Sequence, residues 1–285
     1  MKKLVCVAAL AVVFGAGCGG GSGEEDVLQI GMIPNQNPEE VEAQYEPLGE
    51  YLSEELDMEV EVSVPTGYPA VVEAMASDRL DLAHFGGLTY VQAKERTEVE
   101  PLGTEINTYT GTTNYRSLII VPADSDIEDV SELEGETFAF GSVSSTSGSL
   151  YPSIMLDEAG IDYRTDLEET VYTGGHDATA QAVVNGSVAA GGIEDRILYD
   201  LQREGIVEED AVRTIGESED VEGYPWAVRS DMDDGLKEEI ADAFVAIEDP
   251  ELLDLFRAEG FERVEDSDYD YVDEQARELD LLTAE

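Results

Sequence analysis

Alternation between short apolar runs and amphipathic stretches is the feature that most constrains the fold of this chain. Segments such as 27–34 and 117–125 are almost continuously apolar, as buried strands are, whereas 39–56 carries its apolar side chains at helical spacing. Strands and helices that alternate along a chain form sheets covered by helices. The sequence therefore predicts an α/β fold.

The alternation occurs in two sets. The first set starts at residue 27, the second occupies the middle of the chain, and a return to the first set begins at 224. The chain must then cross between two bodies near 117–124 and near 223–231. We therefore predict a two-lobe clamshell of mixed sheets, in which ligands bind at strand carboxyl ends and helix N-termini in the cleft. The predicted domains are 27–120 plus 228–285 for lobe 1, and 121–227 for lobe 2.

Individual elements follow from the same patterns. The predicted strands are 27–34, 59–65, 80–87, 117–125, one within 129–141, 169–175, 187–195 with its exit loop, and 210–218. The predicted helices are 39–56, 68–78, 88–96, a short one within 129–141, one from 148 to 160, 177–186, 234–247, 250–258 and 271–283.

Charge argues against two classes of partner. The 285 residues include 66 Asp+Glu against 15 Lys+Arg, a formal charge of −51 spread along the whole chain. Such a surface repels nucleic acid and anionic lipid headgroups. Beyond the N-terminal segment, lysine occurs only at positions 94 and 237. This pattern indicates a halophilic protein, because salt screens repulsion between carboxylates; the plainer alternative is a very soluble acidic protein.

The N-terminus has the pattern of an export signal. Lys2 and Lys3 precede an apolar run too short for a stable transmembrane helix, and small residues follow before Cys18. The Gly-Ala-Gly-Cys ending resembles a bacterial lipoprotein signal, which implies that 1–17 are removed and that Cys18 is the site of lipid attachment. Residues 18–26 would then be the acylated cysteine and a flexible tether. The alternative is a cleaved signal and a free secreted protein.

The stretch 142–152, SVSSTSGSLYP, predicts an anion site. It lies between a strand and a helix, where unpaired backbone N–H groups and the helix dipole favour negative charge. The hydroxyls of Ser145, Thr146 and Ser147 add donors, and Gly148 lets the backbone approach a ligand closely. We therefore predict that neutral donors hold the anion, since the stretch contains no Lys or Arg; an ordinary serine-rich helix cap is the alternative.

Beyond these patterns, the chain resembles a known family: the phosphate, phosphite and phosphonate solute-binding proteins of ABC importers, which have the type II periplasmic-binding fold. The resemblance covers about residues 27 to 260. It rests on the segments IGMIPNQNPEE, PLGEYL, TGYPAVVEAM, LDLAHFGGLTYV, YRSLIIV, LEGETFAFGSVSSTSGSLYP, GGHDATAQAVVNG and PWAVRSDM.

The family implies a function and partners. It implies an extracytoplasmic binding lipoprotein, not an enzyme, that captures a phosphorus oxyanion between its lobes and delivers it to an ABC permease with its ATPase. The expected location is the outer side of the cytoplasmic membrane or the periplasm, with a lipid anchor. No cofactor or nucleic acid is expected, and monomer is the default state for a clamshell.

The resemblance also implies a binding site. Residues 145–148 match the oxyanion cradle, His176 matches a histidine that binds the same group, and Tyr68 and Tyr115 match tyrosines of the first lobe. Glu194 matches an acid that meets the ammonium group in aminoalkylphosphonate binders. Tyr224 takes the place of a second acid, which weakens the case for an amine. Glu194 would select either an amine-bearing tail or a protonated oxyanion.

Two alternatives remain at this stage. The same fold could bind another small organic anion or a vitamin phosphate. Ser147, His176 and Glu194 could form the nucleophile, base and orienting acid of a hydrolase, although no G-x-S-x-G elbow is present. A metal site is not expected, because the mature chain has only His84, His176 and one cysteine, without metal-ligand spacing.

Overall fold

The structure, a computed structural model, describes residues 27–283. The strands in this part of the chain are β1 (Val27–Met32), β2 (Glu59–Ser63), β3 (Leu82–His84), β4 (Val99–Asn107), β5 (Ser117–Pro122), β6 (Thr137–Phe140), β7 (Glu169–Tyr172), β8 (Ala190–Glu194), β9 (Val212–Glu217), β10 (Trp226–Arg229) and β11 (Ala258–Glu262). The α-helices are α1 (Pro38–Leu56), α2 (Tyr68–Ala76), α3 (Gly87–Lys94), α4 (Tyr151–Glu158), α5 (His176–Val184), α6 (Asp195–Arg203), α7 (Asp234–Val245), α8 (Pro250–Phe256) and α9 (Asp270–Glu278). Short turns of other helix types are Val130–Leu133, Thr146–Leu150 and Asp266–Tyr269.

These strands form two mixed sheets. The first has the order β11-β4-β10-β3-β1-β2, with β1 parallel to β2 and β3 and with β10 antiparallel to β3 and β4. The second has the order β7-β6-β8-β5-β9, with β6 parallel to β7 and β8 and with β5 antiparallel to β8 and β9. The predicted α/β fold with mixed sheets and two lobes is confirmed.

Two chain crossings connect the lobes. Strand β5 belongs wholly to the second sheet and β10 wholly to the first, so the crossings are 108–116 and 218–225. The predicted domain boundaries at 120/121 and 227/228 fall inside these two strands. The chain therefore passes from one lobe to the other a few residues before each predicted boundary. Tyr115 and Val221 pair as an isolated bridge, with N···O distances of 3.0 and 2.8 Å, and so tie the crossings together. This pairing makes the hinge a two-stranded unit.

Local sequence sets the helix ends near the cleft. Helix α1 begins after Asn37, whose side chain accepts a hydrogen bond from the backbone N–H of Glu39 at 3.0 Å. Such a cap stabilises a helix by about 1 kcal/mol. Helix α1 ends at Asp57, which has a left-handed conformation with φ 49°. The loop that precedes α1 contacts the second lobe through the carbonyl of Asn35, which accepts a hydrogen bond from the backbone N–H of His176 at 3.0 Å.

Aromatic side chains fill the centre of each lobe. In the first lobe Trp226 lies between His84 and Phe244, with ring centroids 4.6 Å apart in each case. In the second lobe Phe138 and Phe140 pack at 4.6 Å on the central sheet. All of these rings are buried. The sheets are therefore rigid supports for the loops at the cleft.

Four elements differ from the prediction by being present where no element of their type was expected: β4, β10, β11 and α6. Other elements differ in extent. The short helix within 129–141 is a single 3-10 turn, and the helix expected over 271–283 ends at Glu278. No helix among residues 27–283 combines the length and the apolar composition needed to cross a membrane.

Candidate functional site

The predicted anion stretch lies where β6 leads into α4. The chain leaves β6 at Phe140, turns through 141–145, and enters a π-helical turn, Thr146–Leu150, which continues directly into α4. Ser145 is the N-cap of this turn. Residues 145–148, the oxyanion cradle, are almost completely buried. They therefore form the first turn of a helical segment that points into the cleft.

Backbone N–H groups orient two hydroxyls of the oxyanion cradle. Ser145 Oγ accepts a hydrogen bond from the N–H of Gly148 at 3.0 Å. Thr146 Oγ1 accepts one from the N–H of Leu88, at the start of α3 in the other lobe, at 2.9 Å. A hydroxyl that accepts in this way still has its own O–H to donate. Both side chains are thus positioned as donors.

Close packing explains Gly148. A Cβ atom at this position would lie 2.8 Å from Ser145 Oγ and 3.2 Å from Cε1 of His176. The carbonyl of Gly148 also accepts from the N–H of Gly141 at 2.8 Å, and the Ser117 hydroxyl donates to the carbonyl of Ser147 at 2.7 Å. Any larger residue would push the oxyanion cradle away from the histidine.

His176, the first residue of α5, presents one donor to the cleft. Its Nδ1 accepts a hydrogen bond from the backbone N–H of Glu194 at 3.3 Å, and burial lowers the pKa of His176 to about 4. The imidazole is therefore neutral near pH 7 and carries its proton on Nε2. That Nε2 is buried and has no protein partner among the described residues. The backbone N–H of His176 crosses the cleft to the carbonyl of Asn35 at 3.0 Å.

Tyr68 and Tyr115 add phenols from the first lobe and the hinge. Both are buried, and burial raises the pKa of each, so both phenols stay protonated. The Ser145 hydroxyl lies beside Tyr68, and the Thr146 hydroxyl lies beside Tyr115. Each hydroxyl works to lower the pKa of the neighbouring tyrosine, but burial has the larger effect. The Tyr115 Oη is buried without a hydrogen-bond partner in the part of the chain described.

Three donors around the oxyanion cradle therefore share one property. The Tyr115 Oη, the Ser147 Oγ and the His176 Nε2 are buried, and none has a hydrogen-bond partner within residues 27–283. Each such group costs about 1–3 kcal/mol when it stays unpaired. They come from the hinge and from two elements of the second lobe, so the structure brings together groups that are far apart in sequence.

Glu194 and Tyr224 are also in the cleft, but they are paired with protein groups. Glu194 Oε1 accepts from Nε of Arg196 at 2.6 Å, and its Oε2 accepts from the Tyr224 hydroxyl. The Arg196 Nη1 lies 3.5 Å from Oε1 of Glu105, across the cleft on β4. We call Glu105, Glu194 and Arg196 the ionic cluster. All three side chains are buried.

The ionic cluster contains the residues that sequence reasoning missed. The guanidinium of Arg196 packs on the rings of Tyr115 and Tyr224, at 4.7 and 5.3 Å from their centroids. Burial alone would lower the pKa of Arg196, but Glu194 and Glu105 raise it above the ordinary value. Burial also works to raise the pKa of Glu105, yet His84 and Arg196 hold it below the ordinary value. A buried cation therefore accompanies a site that the sequence predicts from neutral donors.

A second set of ionic contacts joins the lobes at the rim. Asp200 of α6 is buried; its Oδ2 lies 2.7 Å from the Arg257 Nε of the first lobe, and its Oδ1 accepts from the Tyr109 hydroxyl at 2.6 Å. Arg203 adds a contact to Asp200 at 3.1 Å. Burial and this hydrogen bond raise the pKa of Tyr109 to about 12. We call Asp200, Tyr109 and Arg257 the rim latch.

The geometry does not favour the hydrolase alternative. In a Ser-His-acid triad the histidine Nδ1–H donates to the acid and Nε2 accepts from the serine. Here Nδ1 of His176 accepts from a backbone N–H, and the carboxylate of Glu194 is paired with Arg196. Within the described chain, no group of three or more His, Cys, Asp or Glu side chains could hold a metal ion. Cys18, the predicted lipid attachment site, lies outside the described residues.

Comparisons with known proteins agree on one family. Residues 30–269 match the family described as “ABC transporter, phosphonate, periplasmic substrate-binding protein”. A probable ABC transporter phosphite binding protein, PhnD1 of Prochlorococcus marinus (strain MIT 9301), is 26% identical over 272 residues, which are 90% of this chain and 91% of that protein. The phosphate-import protein PhnD of Mycolicibacterium smegmatis is 28% identical over 257 residues, 84% of this chain and 79% of that protein.

The solved structures are consistent with this match. PhnD1 from Prochlorococcus marinus in complex with methylphosphonate superposes with a TM-score of 0.82 at 25% identity, covering 90% of this chain and 98% of that chain. The aliphatic sulphonate binding protein SsuA from Escherichia coli superposes with a TM-score of 0.60 at 18% identity, and this second likeness concerns the fold alone.

Proposed function

Because the chain belongs to the family of periplasmic substrate-binding proteins of ABC phosphonate transporters, we propose that it captures a phosphorus oxyanion and delivers it to an ABC permease. The ligand is a phosphonate, phosphite or phosphate, held between the two lobes. The relatives named for phosphite binding and phosphate import, and the relative in complex with methylphosphonate, support this ligand class.

The observation that carries the proposal is a set of three buried donors, on Tyr115, Ser147 and His176, for which the described residues 27–283 supply no hydrogen-bond partner. A phosphoryl group offers acceptor oxygens in several directions and could pair with all three at once. Each charge-assisted hydrogen bond contributes about 1.5–3 kcal/mol. With the oriented hydroxyls of Ser145 and Thr146, such bonds support binding near micromolar, about −8 kcal/mol, after the costs of association.

The test uses the lack of protein partners for these donors within residues 27–283. In Tyr115→Phe and Ser147→Ala one such buried polar group is removed, so the free energy of unfolding measured without ligand should stay equal or rise. Affinity for methylphosphonate, phosphite and phosphate should fall about 10- to 100-fold in each variant. Calorimetric titration gives the affinities, and urea denaturation gives the stabilities.

Tyr90→Phe is the matched control. Its phenol donates to Asp266 at 2.7 Å, away from the oxyanion cradle, so the variant should lose stability and keep its affinity. Unchanged affinity in both Tyr115→Phe and Ser147→Ala would contradict the site. Tighter binding of acetate or of a vitamin phosphate than of methylphosphonate, phosphite and phosphate would favour another anion as the cargo.

Three finer features belong to the same proposal. We propose that the protein is exported, that Cys18 carries the lipid that holds it at the outer side of the cytoplasmic membrane or in the periplasm, and that it acts as a monomer. Mass spectrometry of the N-terminus would identify the acyl chains, and light scattering would give the oligomeric state.

We also propose adaptation to high salt, motivated by the formal charge of −51. Equal stability in dilute buffer and in molar salt would contradict it.

A further inference from the structure

Both oxygens of the Glu194 carboxylate already accept a hydrogen bond from the chain itself. Its Oε1 accepts the Nε–H of Arg196 at 2.6 Å, and its Oε2 accepts the Tyr224 hydroxyl. Glu194 itself is only 1% exposed. The acid that could have bound a positively charged ligand group is therefore occupied by the chain's own cation.

Arg196 is fixed in this position from several sides. It is 7% exposed, its Nη1 reaches Glu105 of the other lobe at 3.5 Å, and its guanidinium packs on the rings of Tyr115 and Tyr224. Displacing it would leave the buried carboxylate of Glu194 without a cation and that of Glu105 with only its contact to His84 at 3.7 Å, and an unpaired buried ion typically costs several kcal/mol. A ligand ammonium cannot take this place at a comparable gain.

The remaining groups of the site complement negative charge. The Tyr115 Oη, the Ser147 Oγ and the His176 Nε2 have no partner within residues 27–283 and have protons to donate. A second cation placed beside Arg196 would also be repelled by a like charge, with little water to screen it. The inventory of donors, acceptors and charges thus fits an oxyanion with an uncharged tail.

We propose that Arg196 is a specificity-determining residue that excludes ligands carrying an ammonium group. This inference rests on the proposed function and narrows it: the cargo is phosphite, phosphate or a phosphonate with a small neutral tail, and aminoalkylphosphonates are rejected. Tyr224 assists by occupying the second oxygen of Glu194. The cavity of about 40 Å³ that borders Arg196, Glu194 and Tyr224 would enlarge if the guanidinium were removed.

Two ligands of nearly equal size isolate the effect of charge. Ethylphosphonate and aminomethylphosphonate differ in a terminal methyl against an ammonium group. We expect the wild type to bind ethylphosphonate at least about 10-fold more tightly, because the ammonium finds no free carboxylate. The titrations are run at one pH at which the amine is protonated and both phosphonates are ionised. Equal affinities, whether both ligands bind or neither does, or tighter binding of aminomethylphosphonate, would overturn the inference.

The variant Arg196→Met tests the residue itself. It frees a buried carboxylate, so the preference should reverse: aminomethylphosphonate should gain about 10-fold or more while ethylphosphonate weakens. Arg79→Met removes one positive charge at an exposed position of the first lobe, away from the site, and it should keep the wild-type preference.

A double variant keeps the test valid if Arg196→Met does not fold. In Arg196→Met/Glu194→Gln the carboxylate freed at Glu194 is removed and Glu105 keeps its contact with His84 at 3.7 Å, so ethylphosphonate should bind without any gain for the amine. A gain for the amine in this double variant would overturn the role of Glu194 and Arg196. If no phosphorus oxyanion binds the wild type at all, the proposed function fails, and this result is distinct from a wrong preference between the two ligands.

Discussion

The oxyanion cradle and the ionic cluster are neighbours in the cleft, yet they bury polar groups in opposite ways. The oxyanion cradle is neutral, and the donors at Ser147 and His176 have no protein partner among the described residues. The ionic cluster is charged, and the carboxylate of Glu194 is paired at both oxygens. Unpaired donors indicate where a ligand binds, whereas paired charges indicate which ligands are excluded. The four predictions below test this distinction, from the largest expected effect to the smallest.

Removing the cation of the ionic cluster should have the largest effect on stability. Arg196→Ala leaves Glu194 and Glu105 without their partner and should lower the free energy of unfolding by about 3–5 kcal/mol. Urea denaturation of the ligand-free protein measures the loss. Arg79→Ala, at an exposed guanidinium of the first lobe, should lose less than about 1 kcal/mol. A loss no larger than that of Arg79→Ala would mean that the ionic cluster is not a stabilising unit.

The neutral histidine of the site should make stability depend on pH. Burial lowers the pKa of His176 from 6.5 to about 4, so the unfolded chain binds more protons than the folded one between these pH values. This contribution is complete above pH 6.5 and should fall by about 2–3 kcal/mol as the pH drops to 4. His176→Gln, which keeps a donor but does not titrate, should lack this part of the loss. Parallel stability curves for the two proteins between pH 7 and 4 would show that the histidine is not held neutral.

A change within the oxyanion cradle should act on affinity. Thr146→Val keeps the shape of the side chain, but it removes a donor and the acceptor of the bond from Leu88 at 2.9 Å. Affinity for methylphosphonate should fall by about 1–3 kcal/mol in calorimetric titration. Thr165→Val, at an exposed hydroxyl of the second lobe, is the control and should bind as the wild type does. If the two variants bind equally well, Thr146 does not contribute to the site.

The rim latch should have the smallest effect, and mainly on release. Tyr109→Phe removes the hydrogen bond to Asp200 between the lobes and should weaken binding by about 0.5–1.5 kcal/mol. The change should appear as faster dissociation in stopped-flow measurements, because the latch does not touch the oxyanion cradle. Tyr199→Phe, a half-exposed ring that packs on Tyr109, is the matched control. An unchanged dissociation rate would mean that the rim latch does not help to hold the lobes closed around the ligand.

The same contrast explains what the sequence could predict. The residues of the oxyanion cradle are contiguous, and their chemistry depends on a local strand-to-helix turn, so Ser145 to Gly148 could be placed at a helix start from the pattern alone. The stretch 176–186 is similar, because a glycine pair precedes a regular helix. Local structure of this kind is fixed by neighbouring residues. The residues were therefore placed correctly, while their role in binding stays a prediction.

The ionic cluster could not be predicted from the sequence, because Glu105 and Arg196 lie on β4 and α6, two elements that the sequence patterns did not predict. Glu105 is on β4, where Pro101 and Gly103 interrupt the strand pattern and where the strand is defined by its pairing with β10. Arg196 is on α6, for which a signal was available: an acidic first turn, buried apolar residues at helical spacing and a glycine after the last turn. That signal gives the helix. The pairing of Arg196 with Glu105 depends on how two lobes meet, which no local pattern contains.

The order of strands in the two sheets has a consequence for biosynthesis. All strands of the second sheet come from one uninterrupted stretch, β5 to β9, whereas β10 sits between β3 and β4 at the middle of the first sheet and is separated from them by the whole second lobe. Pairing over such a distance along the chain is slow, because the entropy of loop closure must be overcome first. A newly made chain should therefore complete its inserted lobe early, and leave the first sheet incomplete until β10 and β11 have emerged.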